Sequence, residues 1–172
     1  MKRLLLLILA AIVSSGASCH ARHGRIGHAE LYWLLNRACV DGDDISVRML
    51  LEAGADPNGV RDYAAFHRSK YQFGVEPSWP INQAAVGGHT DVVRLLLRAG
   101  AKVDAPEDEG QTALTLAATK GHLDVVRLLL EAGADKSYRG PGAGGFVGTA
   151  EEIARNAGHG QVADAIRDFR LK

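Results

Sequence analysis

Three histidines recur at equivalent places in the sequence, and imidazole is the side chain most often used to bind zinc. His89, His122 and His159 each follow a glycine, and the first two are 33 residues apart. Zinc holds each histidine nitrogen at about 2.0–2.1 Å, whereas packed helices lie about 8–10 Å apart. Equivalent histidines of neighbouring units therefore cannot share one ion, and we expect each to make a hydrogen bond in its turn.

A second histidine cluster lies near the N-terminus. His20, His23 and His28 stand close to Cys19, and such a segment could bind a metal ion loosely. A flexible arm is the simpler interpretation, so we predict no metal site and no cofactor. A metal-handling protein stays an alternative function of a different class.

Two other segments resemble ligand loops but lack essential residues. Residues 41–44 lack the alternating ligand spacing and the distant glutamate of a calcium loop. Residues 140–148 are glycine-rich, but no strand is expected before them and the Lys-Ser/Thr of a phosphate loop is missing. We expect the first to be a turn and the second a mobile connection. The sequence shows no nucleophile paired with a base either, which indicates a protein without catalytic residues.

The first 21 residues have the pattern of a signal peptide. Lys2 and Arg3 precede ten apolar residues, 4–13, and small residues follow. Ten residues of helix rise about 15 Å, half of a ~30 Å hydrocarbon core, so we predict export and no membrane span. Residues 16–19 also resemble a bacterial lipoprotein box, which makes lipidation of Cys19 an alternative.

The rest of the chain is organised by an internal repeat. Residues 88–101 match residues 121–134 at 12 of 14 positions, and residues 42–55 match the latter at 9 of 14. A fourth, decayed copy begins at Thr149. In each unit a first helix ends at a glycine and a second helix carries a broad apolar face, as with Val125, Val126 and Leu129. One unit cannot bury that face alone, so the units must stack.

This 33-residue period resembles the ankyrin repeat. The Thr-Pro-Leu-His opening of that family is present as Trp79-Pro-Ile-Asn82 and Thr112-Ala-Leu-Thr115. The resemblance implies an all-α solenoid of about four helix-turn-helix units with short β-hairpin or loop fingers, and a protein that binds proteins and does not catalyse. We place the domain at residues 22–172, with repeats at about 30–58, 78–104, 111–137 and 148–169, and insertions at about 59–77 and 138–147.

The two insertions concentrate aromatic residues, which are enriched at protein-binding hot spots. The predicted partner-binding residues are Tyr63, Phe66, Arg68, Tyr71, Phe73, Trp79, Tyr138 and Phe146. The same rings could instead form a private core that folds the insertions back onto the stack, and both interpretations stay open. The acidic finger between them, with Asp104, Glu107 and Glu109, is expected to be a solvated loop. If the insertions do not bind, Asn82 and Thr115 on the first helices are the next candidates.

Composition supports a protein partner over other partners. The chain has 20 basic and 20 acidic residues, and removal of Lys2 and Arg3 leaves 18 against 20. No charge bias indicates nucleic acid. With two cysteines there is no disulfide framework; Cys39 is expected to be buried, with a Cys19–Cys39 bridge as an alternative. We therefore expect a monomeric binding module in a bacterial periplasm, acting as an adaptor or as a stabiliser of a partner, with a role in stress resistance at the level of the family. An immunity protein that inhibits a toxin is the alternative.

Overall fold

The computed structural model describes residues 28–59, 78–107 and 109–170. Within these ranges it contains eight α-helices, one 3-10 turn and one two-stranded sheet. The elements, in chain order, are α1 (His28–Asp41), α2 (Asp44–Glu52), α3 (Pro80–Val86), α4 (Thr90–Arg98), α5 (Ala113–Lys120), α6 (Leu123–Glu131), β1 (Arg139–Pro141), the 3-10 turn (Ala143–Gly145), β2 (Val147–Thr149), α7 (Ala150–Asn156) and α8 (Gly160–Asp168).

The helices form four antiparallel pairs that stack in two layers. The first helices α1, α3, α5 and α7 contact one another in order, and so do the second helices α2, α4, α6 and α8. Alanines on the first helices allow close approach, while valines and leucines of the second helices fill the space between layers. Residues at the centre of this core are Ala38, Ala84, Ala85, Ala117, Ala118, Val47, Leu50, Val92, Val93, Leu96, Val125, Val126, Leu129 and Ile166. The all-helical solenoid predicted from the repeat is confirmed.

Local signals set the ends of the third helical pair. The Thr112 side chain accepts a hydrogen bond from the backbone N–H of Thr115, and the Thr115 hydroxyl accepts one from the Thr112 N–H, so both first-turn donors are satisfied. Gly121 ends α5 with φ 79°, a left-handed conformation that suits glycine. The glycine predicted to end the first helix is therefore confirmed in this unit.

The three turn histidines join neighbouring units. The Nε2 of His89 lies 3.1 Å from the Val40 carbonyl oxygen, that of His122 lies 2.9 Å from Val86, and that of His159 lies 3.2 Å from Thr119. Each carbonyl accepts the ring N–H and lies near the end of the preceding unit's first helix. Each histidine ring therefore makes a hydrogen bond, but to the preceding unit and not within its own turn, which corrects the prediction.

The last unit ends the stack with a polar surface, as the decayed fourth copy predicts. Arg167 on α8 pairs with Asp164 and Asp168, each at 2.9 Å, and half or more of each side chain is exposed. Exposed ion pairs of this kind add little stability. Their function in the fold is to keep the terminal helix compatible with water.

Residues 139–149 form a structured finger, which corrects the expectation of a mobile connection. β1 and β2 pair antiparallel, with Gly140 opposite Gly148. A Cβ atom on Gly140 would lie 3.0 Å from the Gly110 carbonyl oxygen, so this glycine lets the hairpin lie against the preceding finger. The glycines therefore allow two backbone segments to approach closely in a hairpin. Glycine content alone does not distinguish such a hairpin from a mobile loop.

Cys39 is a buried core residue of α1, as expected, and its thiol is free; Cys19 lies outside the described residues. Burial removes the thiolate from water and raises the pKa of Cys39 from its ordinary value of 9.0 to about 12.

Because the Cys39 thiol is buried, we predict that the protein loses stability at alkaline pH. Because the unfolded chain releases this proton first, the contribution of Cys39 is fully present below pH 9.0 and is lost as the pH rises towards 12. We expect urea unfolding to show a steeper fall between pH 9 and 11 for the wild type than for Cys39→Ala, by up to about 1.4 kcal/mol per pH unit. Parallel pH profiles for the two proteins would contradict this.

Candidate protein-binding surface

Both ends of the long insertion meet on one tyrosine of α1. The Tyr32 hydroxyl bonds to the Ser78 carbonyl oxygen and accepts a hydrogen bond from the Ser78 N–H at 3.2 Å. A Cβ on Gly59 would lie 3.1 Å from the Tyr32 ring. The Asn36 amide also donates to the Ser78 carbonyl, at 3.1 Å. Burial raises the pKa of Tyr32 to about 12, so its hydroxyl stays protonated at neutral pH. The stack thus fixes where the insertion leaves and returns.

Most of the predicted binding residues lie between those two ends. Tyr63, Phe66, Arg68, Tyr71 and Phe73 are outside the described residues, as is the lipidation candidate Cys19. Their assignment as partner-binding residues stays a prediction.

Trp79 stands where the insertion rejoins the stack, as the residue before the first turn of α3. Its indole N–H donates to the Pro106 carbonyl at 2.8 Å, and the Lys102 ammonium lies 5.8 Å from the ring centroid. The side chain is half-buried. Trp79 therefore presents part of its ring at the surface in a fixed orientation, held by the next finger.

The acidic finger is more than a solvated loop, which corrects the sequence-based expectation. Glu107 accepts hydrogen bonds from the Asn82 amide at 3.0 Å and from the Trp79 N–H at 3.3 Å. Asp104 accepts one from the N–H of Asp135 at 3.1 Å. Two of the acidic side chains therefore join neighbouring units; Glu109 is exposed.

Tyr138 has a structural contact of its own. Its hydroxyl donates to the Gly110 carbonyl at 2.8 Å, and the ring is half-buried against Gly140. The interpretation that some insertion aromatics pack on the stack is therefore correct for this ring. Any contribution of Tyr138 to binding comes from the part of the ring that stays exposed.

Phe146 and Val147 form an exposed apolar pair at the hairpin. Their exposed fractions are 36% and 56%. The hairpin that carries them is held by the Gly142 N–H, which donates to the Phe146 carbonyl at 2.7 Å, and by an Arg139–Glu152 ion pair at 3.0 Å. Phe146 was predicted from the sequence and Val147 was not, although two adjacent apolar residues within a glycine-rich segment are a visible signal.

The ion pair at the base of the hairpin also affects the pKa of the Glu152 carboxyl group. The Thr149 N–H donates to Glu152, and the nearby Arg139 guanidinium attracts the same group; together they hold the pKa of Glu152 below its usual range. Glu152 is therefore charged at neutral pH and completes the cap of α7.

Asn82 and Thr115 do not offer a second binding surface, because both are buried, at 0% and 1% exposed. Asn82 donates to the Ala105 carbonyl at 3.1 Å and Thr115 belongs to the cap of α5. These positions fasten the first helices to the fingers. The prediction that they are exposed was wrong: the finger at residues 104–110 covers Asn82 through Ala105 and Glu107, and the Thr115 hydroxyl is used in the cap of its own helix.

The described part of the chain offers no metal centre. No three His, Cys, Asp or Glu side chains converge within it. Residues 41–44 are a turn, in which Asp43 caps α2 by accepting a hydrogen bond from the Ser46 N–H at 3.2 Å. His28 begins α1, whereas His20 and His23 lie outside the described residues. Within the described ranges, none of the helices has both the length and the apolar character needed to cross a bilayer.

Comparison with known proteins identifies the repeat. The family model for ankyrin repeats (3 copies) matches residues 35–139, which is more than half of the chain. The comparison with curated proteins found no significant match. The match covers the first three helical pairs and the finger at residues 104–110, and it ends where the hairpin begins. Ankyrin repeats of this kind indicate a protein-protein interaction module. The chain therefore belongs to the ankyrin-repeat family.

Proposed function

We propose that this protein is an exported binding module that holds another protein with its fingers, as an adaptor or stabiliser. The observation that carries the proposal is the exposed pair Phe146–Val147 on a hairpin whose backbone is fixed by hydrogen bonds and an ion pair. Exposed apolar side chains on a rigid element can be buried by a partner at little cost in conformational entropy. The repeat stack does not require them, because the finger at residues 104–110 closes its junction without such a pair.

The other aromatic fingers extend this surface. Trp79 is held in one orientation by Pro106 and Lys102. Tryptophan is one of the residues most often found at binding hot spots. The insertion aromatics, from Tyr63 to Phe73, join the proposal on composition alone. Tyr138 supports the hairpin from beneath.

The test of binding is capture of the partner followed by a matched pair of variants. A chain of residues 22–172 would be used as bait in periplasmic extract, and the captured protein identified and purified. We expect Phe146→Ser with Val147→Thr to weaken its binding about tenfold or more. The control is Val40→Thr with Ile45→Thr, since these exposed apolar residues, 43% and 60% exposed, lie outside the fingers.

Equal affinities for the hairpin and control variants would place the site elsewhere. An assay of the captured partner separates the two proposed classes: an adaptor or stabiliser leaves the partner active, whereas the alternative, an immunity protein, blocks it.

Export is a separate proposal, supported by the charged and apolar segments at the N-terminus. We predict that mass spectrometry of the native protein finds an N-terminus near Ser18, Cys19 or Arg22. A diacylglyceryl adduct on Cys19 would establish the lipoprotein alternative. Intact Met1 on protein from the cytoplasm would contradict export.

A further inference from the structure

An open apolar groove runs between the second helices of the two central units. Its volume is about 320 Å³, and it lies between α4 and α6. Leu97 and Leu128 contribute half-buried side chains, so apolar surface is left accessible between the helices. None of the lining residues belongs to a finger. This groove is therefore distinct from the binding surface proposed above.

Two exposed arginines line the groove, and neither has an acidic partner in the described structure. Arg94 and Arg98 lie on α4 at the groove, and Arg127 lies on α6; all three are exposed. Within the described ranges, none of them has a carboxylate oxygen within 4.0 Å. Elsewhere in the described ranges, ion pairs are formed by Arg37, Arg139, Arg155 and Arg167, whereas the exposed Arg48 of α2 forms none.

Unpaired guanidinium groups beside apolar surface are suited to a carboxylate ligand. A guanidinium binds a carboxylate with two parallel N–H donors, which gives direction as well as affinity. The half-buried leucines of the groove leave apolar area that a partner can bury. A ligand complementary to both features carries carboxylates on one side and a large apolar side chain next to them.

We propose that this groove docks an acidic, amphipathic segment of a partner protein. Carboxylates of the segment pair with Arg94 and Arg98 on the α4 side, and an apolar side chain lies between Leu97 and Leu128. The surface would be used in addition to the fingers, so that the module contacts its partner, or a second protein, on two sides. Two such contacts on one chain raise the overall affinity through effective concentration.

Acidic side chains on the same helices argue against a polyanion as the ligand. Asp91 lies in the first turn of α4 and Asp124 in the first turn of α6, and Glu131 lines the groove itself. The three arginines Arg94, Arg98 and Arg127 are thus balanced by three carboxylates. A phosphate backbone would meet both charges equally, whereas a peptide can place its carboxylates beside Arg94 and Arg98 and away from Glu131.

The experiment selects the ligand chemistry without knowledge of the partner. A phage-displayed library of random peptides would be selected against residues 22–172, and enriched peptides synthesised and titrated by fluorescence anisotropy. We expect peptides with at least two carboxylates next to a large apolar residue. The variant Arg94→Glu with Arg98→Glu should bind them about tenfold more weakly or worse.

A matched control is Lys120→Glu, an exposed charge reversal on α5 outside the groove, which should change affinity by less than about twofold. Changing the peptide carboxylates to lysine should restore binding to the doubly reversed variant. Thermal unfolding of both variants checks that the fold is kept, as expected for exposed residues.

Four results would overturn the proposal, and the first three concern the groove alone. One is the selection of no peptide, or of peptides without acidic residues. Another is equal affinity for the wild type and the doubly reversed variant. A third is self-association, seen by sedimentation, that the double reversal abolishes, because the occupant of the groove would then be a second copy. Peptides that lose affinity with the Phe146 and Val147 substitutions would also overturn it, because they would bind the fingers. None of these results rules out capture of the partner by the fingers, so the two proposals fail separately.

Discussion

Replacing Leu129 with alanine is expected to lower the free energy of unfolding by about 2–5 kcal/mol. Leu129 lies on α6 with 0% of its surface exposed, and its carbonyl oxygen accepts the hydrogen bond from the Ala134 N–H that closes the helix. Truncation of the side chain leaves a cavity between the two helical layers. The surrounding helices cannot close that cavity fully, because each is held between its two neighbours in the stack.

The measurement is urea unfolding followed by circular dichroism. The matched control is Glu131→Ala, two residues along the same helix and exposed, which should change stability by no more than about 0.5 kcal/mol. Equal midpoints for the two variants would show that α6 does not pack as described.

Gly121→Ala is the second substitution with a large expected effect, and its cost has two parts. Gly121 has φ +79°, where an L-residue costs about 1–2 kcal/mol. An added Cβ would also lie 2.7 Å from Nδ1 of His159, so that the ring must move. Displacing the ring breaks its hydrogen bond to the Thr119 carbonyl, worth about 0.5–1.5 kcal/mol. We expect a total of about 1.5–3.5 kcal/mol.

Gly133→Ala separates the two parts. Gly133 has φ +90°, but a Cβ there would meet no atom within 4 Å. It should therefore cost only the backbone strain, about 1–2 kcal/mol. If both glycine substitutions destabilise equally in chemical denaturation, the histidine contact between units contributes nothing to stability.

Much of the fold was predictable because the repeat combines local and periodic signals. Gly121 ends a helix for a reason local to its own backbone, and Leu129 lies at the centre of an apolar face that recurs from unit to unit. Equivalent positions repeat the same signals, so an error at one copy is corrected by the others. The helices, the stacking and the buried alanines follow from these patterns.

Contacts that join one finger to the next were not predictable in the same way. Glu107 bonds to Asn82 across 25 residues, and the sequence near either residue gives no sign of the other. The hairpin at residues 139–149 depends on close approach to Gly110, again in another unit. Glycine content alone indicated a loose connection. The distinction between Tyr138, which is fastened to the stack, and Phe146, which is exposed, likewise required the positions of the neighbouring fingers.

The central claim, that the fingers hold the partner, is tested most directly by shortening the long one. Deletion of residues 61–73 removes 13 residues and gives the junction the length found between the second and third units. Tyr32 already holds Gly59 and Ser78 at the base, so the shortened chain should close there. We predict an unchanged melting temperature and a loss of affinity for the captured partner of about tenfold or more. A shortened protein that stays equally stable and binds with wild-type affinity would contradict the account.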